Sequence, residues 1–270
     1  MPKPASGNWN SASPAPAVLR AGSVLDVVAQ AGRRAVPLQD IARALGIARS
    51  SVANICAALT ELRMLKLTPD GYVLGHRLVE LSGFYLAAAD PIQRFNDYCR
   101  LHEDVHAYTI HLATIEGLES MNVARSYGRD SIAVAPRVGQ HLPANCTALG
   151  KAMLAQFGDD HVERLLRDRA PLSAMTSFSK TDPGEVLDDI REVRRRGYAI
   201  NDEESYVGVY GLAVAVEGLP PSEAQYAVSC SVLKASIDQE RIDDMLARLR
   251  EVAAAVTGLE HPASKASTTE

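Results

Sequence analysis

The segment DIARALGIARSSVANICAAL, residues 40–59, limits what this chain can fold into more than any other stretch. Apolar residues fall at helical spacing on both sides of Gly46, which tolerates a tight turn that residues bearing a Cβ resist. Ala42 is small and sits early in the first of the two helices, so the pair can cross closely. Ile41, Leu45, Ile47, Val52, Ile55 and Leu59 then supply a shared core. Arg49, Ser50, Ser51 and Asn54 project from the start and outer face of the second helix. Polar and basic groups there can bond base edges and phosphates in a major groove.

The flanks complete a module. A helix begins near Val18, with Ala21, Val24, Leu25 and Val28 on one face, and stops at Gly32. A short helix runs from about Leu38 to Leu45 and a third from about Ser50 to Met64. In LKLTPDGYVL, Leu65, Leu67, Tyr72 and Leu74 mark two short strands around the turn Pro69-Asp70-Gly71. Three helices and a hairpin make a winged helix-turn-helix over residues 18–76. Arg43 and Lys66 join the candidate DNA-binding set. The plainer alternative is a small helical domain with a solvated polar face.

Charge divides in the same place. Residues 1–76 hold eight Lys/Arg and four Asp/Glu, a net of +4, which leaves −9 on the rest of a chain whose total is −5. A basic module joined to an acidic one fits a nucleic-acid reader with a second function. With 270 residues, length alone leaves one or two domains open. No apolar run reaches the roughly 18 residues of a membrane-spanning helix, and the first residues lack the apolar centre of a secretory signal. Cys56, Cys99, Cys146 and Cys230 are scattered with no CxxC. That pattern fits a reducing cytoplasm better than a disulfide or zinc framework.

Residues 1–17 and 258–270 read as a disordered arm and tail. Residues 77–90 read as a linker helix, and a further helix runs from about Pro91 to Glu103. Residues 107–115 and 118–125 are strand-like about Glu116-Gly117. Helices are expected at 145–157, 159–167 and 184–196, the last stopped by Gly197. Strands are expected at 198–201, 208–217 and 224–233, with Leu219-Pro220-Pro221-Ser222 joining the last two, before a final amphipathic helix ending near Val256. Strands flanked by helices make residues 91–257 an α+β domain.

The chain resembles IclR-family transcriptional regulators from about Val18 to Val256. The likeness rests on VLDVVAQ, PLQDIARALGIARSSVANICAALTELRML and GYVLGHRLVELS in the reader domain. In the larger domain it rests on VGQHLPANCTALGKAMLA, TSFSKTDPGEVLDDIREVRRRGYAINDEES and YAVSCSV. Helix-turn-helix motifs are common, so ALGKAMLA and RRRGYAINDEE make the match specific. The resemblance implies a homodimer or homotetramer whose winged helices bind double-stranded, pseudo-palindromic operator DNA. It also implies a GAF-like domain binding a small-molecule effector, often a carboxylate or aromatic acid. Asn201 matches the family position that contacts the effector, where an acid is common.

The remaining motifs weigh less. HEDVH at 102–106 has the zinc-protease spacing, but a strand is expected right after His106, so its two histidines straddle a break. NCTALGKA resembles a phosphate loop but lacks the first Gly, and Ala152 replaces the magnesium-binding hydroxyl. The better reading is a helix start beside a pocket, whose exposed backbone N–H groups favour an anionic ligand group; the plainer one is that Asn145 and Thr147 merely cap the helix. Alternation puts Ser229 and Ser231 on one strand face and Cys230 on the other. No base pairs with either serine in the sequence, so a serine hydrolase is unsupported. Arg194–Arg196 read as a solvated helix end, and Asp202, Glu203 and Glu204 as a surface or hinge feature. The effector set is therefore Leu142, Thr147, Ala148, Leu149, Asn201, Gly211, Ser229 and Ser231, with Gly211 leaving room for a bulkier ligand. No cofactor, catalytic residue, metal site or membrane partner is expected. The expected function is a DNA-binding regulator controlled by an aromatic or small organic acid or its derivative. The alternatives are a metabolite-binding enzyme and a co-regulator that no longer reads DNA.

Overall fold

Apolar residues three and four apart build the first helices. α1 (Pro16–Gln30) buries Val24 and Val28, and α2 (Leu38–Leu45) buries Ile41. Gly46 ends α2 at φ 64°, with its N–H bonded to the Ala42 carbonyl. α3 (Arg49–Glu61) buries Val52, Cys56 and Leu59 against them, while Leu45, Ile47 and Ile55 are partly buried at the rim. β1 (Leu65–Thr68) and β2 (Gly71–Leu74) pair antiparallel, with Thr68 opposite Gly71 across a two-residue turn. α4 (Arg77–Ala88) closes the first of two units, Met1–Ala88 and Ala89–Glu270.

The structure, a computed structural model, describes residues 15–129, 136–219 and 225–258. The terminal arm as far as residue 14, the tail from 259 and the connection at 220–224 lie outside the described residues.

The second unit is built on six antiparallel strands. They are β3 (Ile110–Glu116), β4 (Glu119–Ser126), β5 (His141–Pro143), β6 (Ala199–Asp202), β7 (Val209–Val216) and β8 (Tyr226–Leu233), in the order β5-β4-β3-β8-β7-β6. Alternation gives the sheet two apolar faces. Ala113, Ala199, Ala213 and Ala227 meet α6 (Ala148–Leu154) and Val193 of α8 (Pro183–Arg196). α5 (Asp90–Leu101) packs on β4 and on α9 (Gln239–Thr257), and α9 packs on β7 and β8. α7 (Asp159–Asp168) and α8 share a smaller core around Leu154, Leu166 and Ile190. No helix among the described residues is long and apolar enough to cross a membrane.

Several expectations are corrected. β5 is too short to show a periodicity and exists only by pairing with β4. The helix expected from residue 145 opens instead as a 3-10 turn, Ala144–Cys146, and α6 starts after Thr147. Gly150 permits this, because a Cβ there would lie 2.3 Å from Ala144 Cα. Arg194 is not simply solvated. It donates to the Ala155 and Phe157 carbonyls at 2.8 and 2.7 Å and pairs with Asp159, tying α8 to α7. Glu204 is not on the surface; it is buried in an ion-pair cluster.

Candidate DNA-reading face and ligand cavity

α3 starts without a side-chain cap and with no acid in its first turn, so nothing in that turn offsets its positive end. Arg49, Ser50 and Asn54 are exposed and Ser51 is half-buried. Ser50 and Asn54, four apart, share one face. Lys66 is exposed on β1. Arg43 is exposed on α2 and bonds Asp40 at 3.0 Å, which offsets part of its charge.

In the second unit, a cavity of about 50 Å³ opens between β3, β8, the start of α6 and the turn after β6. Leu142, Thr147, Ala148, Leu149, Asn201, Ser229 and Ser231 all line it. Gly211 does not. It lies opposite Ser231 across β7 and β8, and a Cβ there would meet Ser231 Oγ at 2.8 Å. The room beside Gly211 is thus taken by the Ser231 hydroxyl rather than left for a ligand. Thr109, His111, Pro136, Ser205, Tyr206 and Val209 also line the cavity, though the sequence did not single them out. Thr109 and His111 alternate onto the face of β3 that meets Ser229, and only the pairing of β3 with β8 reveals this.

Several polar groups of the lining are already engaged. Thr147 Oγ1 accepts from Gly150 N at 3.0 Å and lies 3.4 Å from Ser120 Oγ. Asn201 Oδ1 accepts from the Glu204 and Ser205 N–H groups, and its amide donates to the Ser205 hydroxyl. Thr109 Oγ1 accepts from Gly128 N at 3.1 Å. Asn145 caps nothing; its amide donates to the Ser173 and Lys180 carbonyls at 2.8 and 2.9 Å.

The turn after β6 is clamped from behind. The Lys151 ammonium, 1% exposed, bonds both carboxylate oxygens of Glu204 and Oδ2 of Asp189, which also accepts from Lys180 at 2.7 Å. Burial raises the Glu204 carboxyl above its usual range, against the pull of Lys151. At Asp189 burial acts the same way but is outweighed by Lys151 and Lys180, so that carboxyl is lowered. Lys151 is committed to this cluster and is not a free phosphate ligand.

His111 lies directly opposite Ser229. Burial, with the nearby Arg125 charge, pushes its imidazole down to about 4. A group that acidic is a poor general base near neutral pH, and no hydrogen bond joins it to Ser229. Elsewhere, the HEDVH rings are tied back to α5. His102 Nδ1 bonds the Tyr98 carbonyl at 2.9 Å and His106 Nε2 the Cys99 carbonyl at 2.8 Å. α5 ends at Leu101, and a 3-10 turn, Glu103–Ala107, separates it from β3.

A winged helix-turn-helix and an α+β domain with a polar cavity, on one chain, define a ligand-responsive DNA-binding regulator. The models of the IclR helix-turn-helix domain and of the bacterial transcriptional regulator IclR C-terminal domain match residues 17–69 and 86–257. The chain belongs to the IclR family of transcriptional regulators, which bind DNA under the control of small-molecule effectors. It is 24% identical to the HTH-type transcriptional regulator XynR of Escherichia coli, over 91% of this chain and 98% of that protein. An IclR transcriptional regulator from Alicyclobacillus acidocaldarius superposes with a TM-score of 0.78 at 25% identity, covering 91% of this chain and 99% of that one. An IclR homolog from Microbacterium hydrocarbonoxydans, solved with 4-hydroxybenzoate, superposes with a TM-score of 0.75 at 21% identity, covering 90% and 98%.

Proposed function

We propose that the chain reads a pseudo-palindromic operator as a homodimer or homotetramer in the bacterial cytoplasm. Its effector is a small organic acid, aromatic or aliphatic, or a derivative of one. Residues 18–76 form the reader, 77–90 the linker helix and 91–257 the effector domain. The observation that carries this reading is the convergence of Leu142, Thr147, Leu149, Asn201, Ser229 and Ser231, distant in sequence, on one cavity. A wall that mixes apolar side chains with hydroxyl, amide and imidazole groups suits an apolar body with a polar head. At about 50 Å³ the cavity is smaller than the roughly 150 Å³ hole that holds benzene in an engineered lysozyme. Either kind of acid therefore requires the wall to yield, a ring more than a short chain. The 4-hydroxybenzoate complex of the Microbacterium relative supports the aromatic case.

Arg49, Ser50, Ser51 and Asn54 read base edges, while Arg43 and Lys66 contact phosphate. A dimer is supported by Val79, Leu81, Phe84 and Tyr85, which stand exposed on α4 for a second copy to cover. Regulation needs no catalytic step, because an effector acts by binding two arrangements of the protein unequally. A gel shift with the DNA upstream of the protein's own gene, with and without small aromatic and aliphatic acids, tests the whole reading. A specific shifted complex that one such acid strengthens or releases is the expected result. Absence of any sequence-specific complex overturns it.

A further inference from the structure

The cavity has a polar end whose groups the protein itself leaves unused. Of its hydrogen-bonding side chains, Thr109, Thr147, Asn201 and Ser205 are engaged within the fold. His111, Tyr206, Ser229 and Ser231 are the remainder, and of these His111, Ser229 and Ser231 lie together on β3 and β8. Ser229 lies directly across from His111, and Ser231 is the next residue along that face of β8. The His111 side chain is buried, yet its Nδ1 has no hydrogen-bond partner among the described residues. A buried polar atom left unpaired is costly, so the site holds an unmet demand for a partner.

The chemistry of that partner follows from charge. None of the described residues lining the cavity carries a charged side chain, His111 being neutral at physiological pH. Lys151 is held by Glu204 and Asp189, and Arg125 bonds the Pro136 carbonyl and the Tyr127 hydroxyl. His111, Ser229 and Ser231 carry no charge themselves, so an ionised group brought against them would lose its hydration without a counter-charge among the groups it touches. A neutral imidazole offers one donor and one acceptor nitrogen, and each serine hydroxyl can do both. A hydroxyl, which also donates and accepts, satisfies all three.

We propose that His111 is a ligand-contacting, specificity-determining residue of this cavity, and that it selects an uncharged hydroxyl group on the effector. The inference rests on the organic-acid reading above and narrows it to hydroxylated members. It also sets the ligand's orientation: the hydroxyl meets β3 and β8, and any ionised group stays toward the cavity mouth.

The test uses the full chain and two matched pairs of probes, 4-hydroxybenzoate with benzoate and lactate with propanoate, measured by calorimetry. In at least one pair the hydroxylated probe binds wild type about tenfold or more tightly than its partner, because the partner leaves buried polar groups unpaired. In His111→Leu that preference disappears. Ring-nitrogen resonances of His111 in the wild-type protein, observed by 15N NMR, shift with the hydroxylated probe and not with its partner. The resonances decide the matter alone if the variant does not fold. Equal binding within both pairs, or a preference that survives in His111→Leu, overturns the role of His111 and leaves the cavity's function standing. Failure of all four probes to bind wild type overturns the effector class itself, and this inference with it.

Discussion

The Lys151 ammonium lies 2.8–2.9 Å from both carboxylate oxygens of Glu204, although 53 residues separate them in the chain. The bond joins two walls of the cavity. α6 brings Thr147, Ala148 and Leu149 on one side of Lys151, and the turn after β6 brings Asn201 and Ser205 beside Glu204.

Breaking that pair is costly in one direction. Lys151→Met leaves Glu204 buried without its cation and Asp189 with Lys180 as its close partner, and a loss of about 3–5 kcal/mol is expected. The double variant Lys151→Met/Glu204→Gln should recover part of it, since one stranded charge is removed. Urea denaturation of the two variants and wild type makes the comparison. Equal midpoints for Lys151→Met and wild type would show that the cluster contributes nothing.

His111 makes stability depend on pH. Its imidazole falls from an ordinary 6.5 to about 4 in the fold, so between those values the unfolded chain binds more protons than the native one. Its contribution is intact above pH 6.5 and is lost progressively as pH falls toward 4. The full effect is up to about 3 kcal/mol. Denaturation curves of wild type and His111→Leu at pH 7.5 and 4.5 isolate it: the variant should lose less stability than wild type over that interval.

On the DNA side, Arg49→Ala should weaken operator binding by about 1–3 kcal/mol if the guanidinium reads a base, and relax preference at that position. Lys66→Ala should weaken all sequences alike and reduce the salt slope by about one. Fluorescence anisotropy at several salt concentrations separates the two. Unchanged operator affinity in Arg49→Ala means that α3 is not the reading helix.

Ser231→Val and Gly211→Ala approach the cavity from two sides. The first removes a hydroxyl; the second places a Cβ 2.8 Å from Ser231 Oγ and must displace it. Both should weaken effector binding about tenfold and leave DNA binding without effector nearly intact. Calorimetry and a gel shift on each variant check this. Wild-type effector affinity in both would remove Ser231 from the site, and lost DNA binding without effector would indicate misfolding instead.

Much of the fold was legible because its signals are local. Leu38–Leu45 announces itself by apolar spacing and a following glycine, and α2 has those bounds. Gly197 ends α8 at φ 81°, as a helix-stopping glycine should. The wing is visible in Pro69-Asp70-Gly71. β5 was invisible, because three residues cannot show a period and only β4 makes them a strand. Glu204 was misread because its neighbours Asp202 and Glu203 suggest a solvated run. Nothing nearby shows that the chain turns it inward to Lys151.

What the sequence determined by itself, then, is the set of helices and strands, the winged-helix order, the family motifs and most residues of the cavity wall. These depend on periodicity, turn chemistry and short motifs, which act over a few residues. Tertiary structure alone decided which groups face one another across strands and helices. It set His111 opposite Ser229, placed Ser231 in the space beside Gly211, and buried Lys151 between Glu204 and Asp189. The reason is register. A strand shifted by one residue sends every side chain to the other face, and that choice is made by long-range packing rather than by any local stretch of chain.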